Sequence, residues 1–177
     1  MTAVSTRDDG AVIRDALPSG LALRRAIAAD DAFLREVFAT TRHDELAMLR
    51  LDDTIAGAFL AEQYDAQRVS FLGEHPDAEQ FVVLVDDVPS GRLWIDDTSP
   101  TDRHLLDVSL LPHMRRSGLG EVLLLWVIRG AAANARTVTL QVARSNPARR
   151  LYERLGFNIV GGDDVHLALR WDPAPVS

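Results

Sequence analysis

A mixed β-sheet covered by helices, in the α/β (α+β) class, is the fold this sequence predicts. Candidate strands and helices interleave along the chain, short apolar runs are joined by turn-rich spacers, and the helical stretches carry apolar residues at helical spacing. The bulk numbers agree. A chain of 177 residues, 47% hydrophobic and 25% charged, suits one globular domain with a substantial core.

The first twenty residues, "MTAVSTRDDGAVIRDALPSG", have weak periodicity and read as a loosely ordered leader (1–20). Their charges fall where a signal peptide needs an apolar core. "LALRRAI" (Leu21 to Ile27) alternates like a first strand. "ADDAFLREVFATTR" follows as a helix, with Asp30 or Asp31 as N-cap and Phe33, Val37 and Phe38 on one face. The stretch from Asp44 to Leu72 is helix-rich and broken around Leu51 to Asp53. "EQFVVLVDD" and "SGRLWIDD" form a hairpin signal around the spacer "DDVPSG".

"RHLLDVSLLP" is a further strand, closed by Pro112. A helix runs from about Gly118 to Ala135, and the β-branched run "TVTLQVA" is the next strand. "SNPARRLYERLGF" is a short helix, with Asn146 as N-cap, Pro147 at the first helical position and Gly156 as its stop. "FNIVGG" and "DVHLALRW" form a last strand pair joined by "GGDD". The domain spans 21–172, and 173–177 is a tail.

Composition excludes several functions. A formal net charge of -7 and a pI near 5.1 argue against nucleic acid as the main partner. There is no cysteine, so no disulfide framework, thiolate metal site or thiol-bound intermediate is available. All 19 basic residues are arginine, which also removes a catalytic lysine. The longest apolar run, Val122 to Ile128, is too short to span a bilayer, and a soluble cytoplasmic protein is expected. Homodimers are common among soluble proteins of this size.

One loop carries chemistry. "RRSGLG" (Arg115 to Gly120) lies between a strand and an apolar helix. The first amides of a helix lack internal acceptors, and the helix dipole favours negative charge there. Glycines at 118 and 120 let a phosphate or diphosphate approach the backbone. The loop is not a GxxxxGK[ST] phosphate loop, because there is no lysine, and 118–123 reads "GLGEVL", not GxGxxG. A purely steric reading, in which small residues let helix and strand pack, stays open at this point.

A second segment narrows the choice. "LLDVSLLPHMRRSGLGEVLL", followed after a strand by "NPARRLYERLGF", resembles the GNAT superfamily of acyl-CoA N-acyltransferases. The (R/Q)xxGx(G/A) loop matches at Arg115, Gly118 and Gly120, and the later motif matches from Asn146 to Phe157. The resemblance implies a mostly antiparallel sheet with helices on both faces and a splayed strand pair holding acetyl-CoA. It implies that the diphosphate lies on the backbone of Arg115, Arg116, Ser117, Gly118, Leu119 and Gly120. The pantetheine arm would pair with the main chain of Leu110 and Leu111, near Asn146. It further implies acetyl transfer to a primary amine. With no cysteine to carry the acetyl group, direct attack in a ternary complex is expected, and no histidine falls in a metal-ligand spacing, so no metal is expected.

Three roles follow for side chains and backbone. The Leu110 amide would polarise the thioester carbonyl. Tyr152 sits where the family commonly places the acid that protonates the coenzyme A thiolate, and a packed aromatic is its plainer reading. Asp107 is the first candidate base, an acid among apolar residues at the parity of Leu105 and Ser109. Glu45 is the second, with an exposed helix-start carboxylate as its plainer reading. His104, at the opposite parity to Asp107, and His43 are assigned to surface or strand-edge roles. The competing functions are a catalytically silent CoA-binding sensor and an interaction domain. The acceptor amine itself is not readable from the sequence.

Overall fold

The chain folds into eight strands: β1 (Val12–Ile13), β2 (Leu21–Arg25), β3 (Glu79–Val85), β4 (Val88–Asp96), β5 (Asp102–Leu110), β6 (Thr137–Ala143), β7 (Asn158–Gly162) and β8 (His166–Trp171). The helices are α1 (Asp31–Thr41), α2 (His43–Leu49), α3 (Asp53–Glu74), α4 (Leu119–Ala132) and α5 (Arg149–Arg154). This computed structural model describes residues 10–49 and 52–174. The strands form one sheet in the order β1-β2-β3-β4-β5-β6-β8-β7. Every pairing is antiparallel except β5–β6.

Each face of the sheet is covered. On one, Leu23, Phe81, Val83, Leu93, Ile95 and Leu105 pack against Leu123, Leu124 and Val127 of α4 and Tyr152 of α5. On the other, Ala22, Val82 and Leu84 pack against Leu34 and Phe38 of α1 and Tyr64 of α3. The alternation that read as strand period therefore divides side chains between two cores. Among the described residues, no helix is long and apolar enough to cross a membrane.

Local departures from the sequence reading have simple causes. Within the expected leader, β1 pairs with β2, Ile13 and Leu17 pack against the larger core, and the Asp15 carbonyl accepts from Trp126 Nε1 at 3.1 Å. The hairpin turns on Asp86 and Asp87 alone, both at positive φ, so β4 already begins at Val88. Asp30 does not cap α1 with its side chain. Its carboxylate takes the Ile27 amide and both outer nitrogens of Arg24. Asn146 Oδ1 accepts the Ala148 amide at 2.9 Å, capping the turn that leads into α5 rather than the regular helix starting at Arg149.

One irregularity positions the site. Opposite β4, Trp94 pairs with Asp107 but Ile95 pairs with Leu105, so Leu106 is an extra residue on β5. A bulge of this kind reverses the side-chain parity on either side of it. β5 also parts from β6. Their parallel pairing covers Asp102 to Leu105 against Thr137 to Leu140, while β5 continues to Leu110 and β6 to Ala143.

Candidate active site

The divergence of β5 and β6 creates a gap flanked by β5 main chain that no longer pairs with β6. The Leu111 amide donates to the Ser90 carbonyl of the β4 side at 2.9 Å. By the alternation of an antiparallel ladder, Val108 and Leu110 turn their amides and carbonyls away from β4, towards the gap. Leu111 was expected to pair with the coenzyme arm, and here the structure corrects the reading, because its amide is already taken. Val108, which sequence reasoning missed, offers an amide in its place. Its signal was the strand alternation itself, two residues before Leu110.

The loop after β5 leads from this gap to α4. The N-cap Gly118 has φ 84, a left-handed conformation that disfavours any side chain. Yet a Cβ on Gly118 would meet nothing within 4 Å, and one on Gly120 would meet only Leu151 Cδ2 at 3.9 Å. Protein packing therefore does not explain Gly120, and the steric reading loses its ground there. The space over the first turn of α4 is what a ligand diphosphate requires. Val122 is the first α4 residue whose amide reaches back to Gly118 O, and Leu119 N makes only a long 3.4 Å contact with Ser117 Oγ. Ser117 Oγ itself donates to Met114 O.

The two arginines differ in role. Arg115 Nε donates to the Leu110 carbonyl at 2.9 Å, and Arg115 Nη2 donates to Thr40 Oγ1 at 2.8 Å. Its side chain thus pins the loop to β5 and to the end of α1 instead of facing a ligand. Arg116, exposed and at φ 62, has no hydrogen bond or ion pair among the described residues. It is the cation available to an anion at the start of α4. Asn146 lies beyond the end of β6, in a cleft lined by Arg144, Arg149 and Arg150.

Tyr152 and Asp107 lie on opposite faces of the sheet, close enough for the carboxylate's charge to act on the phenol. Tyr152 is buried in the α4-side core, edge-on to Phe157 with ring centroids 5.7 Å apart. Its hydroxyl has no hydrogen-bond partner among the described residues. Burial first, and the nearby charge of Asp107 second, push its pKa up, so the phenol keeps its proton at neutral pH. Asp107 lies on the α1/α3 face. There Arg92 Nε donates to Asp107 Oδ2 at 2.7 Å, and Ser109 Oγ donates to the same carboxylate at 3.0 Å.

That environment corrects two expectations. Asp107 shares a face with Ser109 but not with Leu105, because the bulge at Leu106 lies between them. It is also not an acid among apolar groups but half of an ion pair with Arg92, whose side chain is 1% exposed. Arg92 further donates from Nη2 to Gln67 Oε1 at 2.8 Å and lies over the Phe38 ring. The sequence offered one clue to Arg92, a charged residue in the otherwise apolar run "RLWI". The same bulge returns His104 to the face of Asp107, contrary to the parity expectation. Glu45 falls within α2, and its side chain lies outside the described residues. His43 begins α2 and is exposed, a surface position within the surface or strand-edge role it was assigned. Among the described residues no group of acidic or histidine side chains could hold a metal ion.

Comparison with known proteins places this architecture. The model of the acetyltransferase (GNAT) family matches residues 28–157. Among solved structures, the PaiA N-acetyltransferase of Thermoplasma acidophilum, in complex with coenzyme A, superposes with a TM-score of 0.65 at 16% identity, covering 86% of this chain and 98% of that one. A putative GNAT acetyltransferase from Desulfovibrio desulfuricans gives 0.59 at 21% identity, covering 87% and 99%. Ard1 from Thermoplasma volcanium gives 0.59 at 18%, covering 88% and 99%. At such identities the likeness is one of fold. A comparison with curated proteins returns no match. With the family model spanning β3 to β6, all five α-helices and the glycine loop, the chain belongs to the GNAT family of acetyltransferases.

Proposed function

We propose that this protein transfers an acetyl group from acetyl-CoA to a primary amine by direct attack, with both substrates held together. Bound acetyl-CoA supplies an activated thioester, and the chain supplies binding, orientation and proton movement. The open amides at the start of α4, with Arg116, hold the diphosphate. The Val108 and Leu110 amides line the parted strands, and the Leu110 amide takes the charge that grows on the thioester oxygen.

Tyr152 gives its proton to the departing sulfur. Asp107, fixed by Arg92 and Ser109, takes a hydrogen bond from the incoming amine and orients it. Glu45 is the alternative carboxylate, from the α2 side. With no cysteine, a thiol-borne acetyl group cannot form.

One observation carries this reading. The parted strands run from a helix start with unfilled space over Gly120 to a buried tyrosine whose hydroxyl has no partner among the described residues. The test is thiol release from acetyl-CoA with a panel of butylamine, ethanolamine, glycinamide and tyramine. Intersecting initial-velocity lines are expected for the productive amine. Parallel lines would contradict direct attack, and thiol release with none of the amines would favour a silent CoA-binding domain.

A further inference from the structure

Where α3 ends against β4 and β5, two imidazoles lie face to face. The His75 and His104 rings are stacked with centroids 4.6 Å apart and planes within 8°. Each is tied at Nδ1. His75 Nδ1 is 2.8 Å from Asp96 Oδ2, and His104 Nδ1 is 2.8 Å from Thr139 Oγ1. The network fixes the second tautomer. Thr139 Oγ1 donates its proton to Asp102 Oδ2 at 2.6 Å, so it can only accept from His104. His104 therefore carries its neutral-state proton on Nδ1 and leaves Nε2 as a bare acceptor. Asp96 accepts only, which leaves His75 in the same state. No described residue bonds Nε2 of either ring.

The position of the pair follows from the bulge at Leu106. His104 lies opposite Asp96 and Asp107 lies opposite Trp94, two residues apart on β4. At the rise of a strand that is about 7 Å between backbone positions, so the two residues are neighbours on one face of the sheet. Without the extra residue, the two side chains would lie on opposite faces.

We infer that the stacked His75–His104 pair takes up the proton lost when the acceptor's ammonium becomes the attacking amine. The inference rests on the acetyl-transfer reading and names the base that reading needs. In the step, an N–H bond of the ammonium breaks and its electron pair stays on nitrogen. The proton passes to His104 Nε2, directly or through water, and later leaves to solvent past the partly exposed His75. A proton on both rings at once would put two cations in contact. The charged groups facing the pair are Glu74 at the end of α3, Asp96 on β4 and Asp102 on β5. Arg170, opposite Thr139 on β8, is held by Asp172. Burial first, and then His75, push the His104 pKa below the ordinary histidine value, while the three carboxylates oppose this. Such a base is neutral and ready at pH 7.

The experiment pairs an imidazole NMR titration of the whole protein with pH profiles of acetyl transfer to the best amine of the panel. In the wild type, His104 is expected to show an Nδ1–H tautomer and a titration below the ordinary value, matched by an acidic limb in kcat. His75→Asn should move both upwards together. His104→Asn, which keeps the bond to Thr139, should remove that limb and lower kcat about 100-fold, with KM for acetyl-CoA unchanged. A His104 titration indifferent to His75→Asn would overturn the inference. So would an active His104→Asn protein that keeps the wild-type limb, and acetyl transfer would survive that result. A wild type with the expected titration but no thioester cleavage would instead overturn acetyl transfer, and with it the role given to the pair.

Discussion

Tyr152 and Asp107 lie on opposite faces of the sheet, one a buried phenol that keeps its proton, the other ion-paired with Arg92. Their separation is chemically useful. An acid that must keep its proton belongs in the drier core, and a carboxylate that must hold an amine belongs where Arg92 and Ser109 fix it. Tyr152→Phe keeps the packing against Phe157 and removes only the hydroxyl. The expected result is a fall in kcat of about 100-fold or more, with acetyl-CoA affinity nearly unchanged by calorimetry. Unchanged turnover would remove Tyr152 from the acid role.

At the scale of elements, the glycine loop separates two requirements that the sequence presents together. Gly118 adopts a left-handed backbone, and Gly120 has open space above it. Gly118→Ala should lower stability by about 1–2 kcal/mol, read from urea unfolding. Gly120→Ala should leave unfolding unchanged and weaken acetyl-CoA binding at least tenfold. Equal effects of the two substitutions on binding and on stability would contradict this division.

Strands, helices and loop were legible because periodicity and turn residues are local signals. The glycine loop and the later NPARRLYERLGF motif were legible because both are contiguous. The bulge at Leu106 was not, since "HLLDVSLL" has no residue that marks an insertion, and only pairing with β4 reveals it. The parity arguments that joined Asp107 to Leu105 and set His104 on the opposite face failed for that single reason, while the shared face of Asp107 and Ser109, both beyond the bulge, held. Arg92 and His75 were missed because their partners lie 15 and 21 residues away along the chain. The Arg115–Thr40 contact was not legible because the two residues lie 75 positions apart.

The whole molecule should respond to acid through its aspartates. Burial alone would raise Asp96, but the hydroxyl and backbone amide of Thr98, followed by His75, hold it down to about 2. Asp97 is lowered despite burial by Arg103 and Arg136, and Asp30 chiefly by Arg24. Depressed carboxylates contribute stability above their unfolded value of 3.8, and this is lost as pH falls towards 2. The urea midpoint should therefore drop between about pH 4 and pH 2, and the drop should be shallower in Asp96→Asn. A midpoint flat over that range would show that these contacts do not stabilise the fold.

The central claim is that the start of α4 and the parted strands β5 and β6 form one continuous seat for an acyl-coenzyme. Calorimetric titration of the wild type and of Gly120→Val with acetyl-CoA, with inorganic phosphate as the control ligand, tests it most directly. Saturable binding of acetyl-CoA by the wild type, none by the folded variant and none of phosphate is the predicted result. Absence of acetyl-CoA binding to the wild type, or equal binding by the variant, would contradict the account.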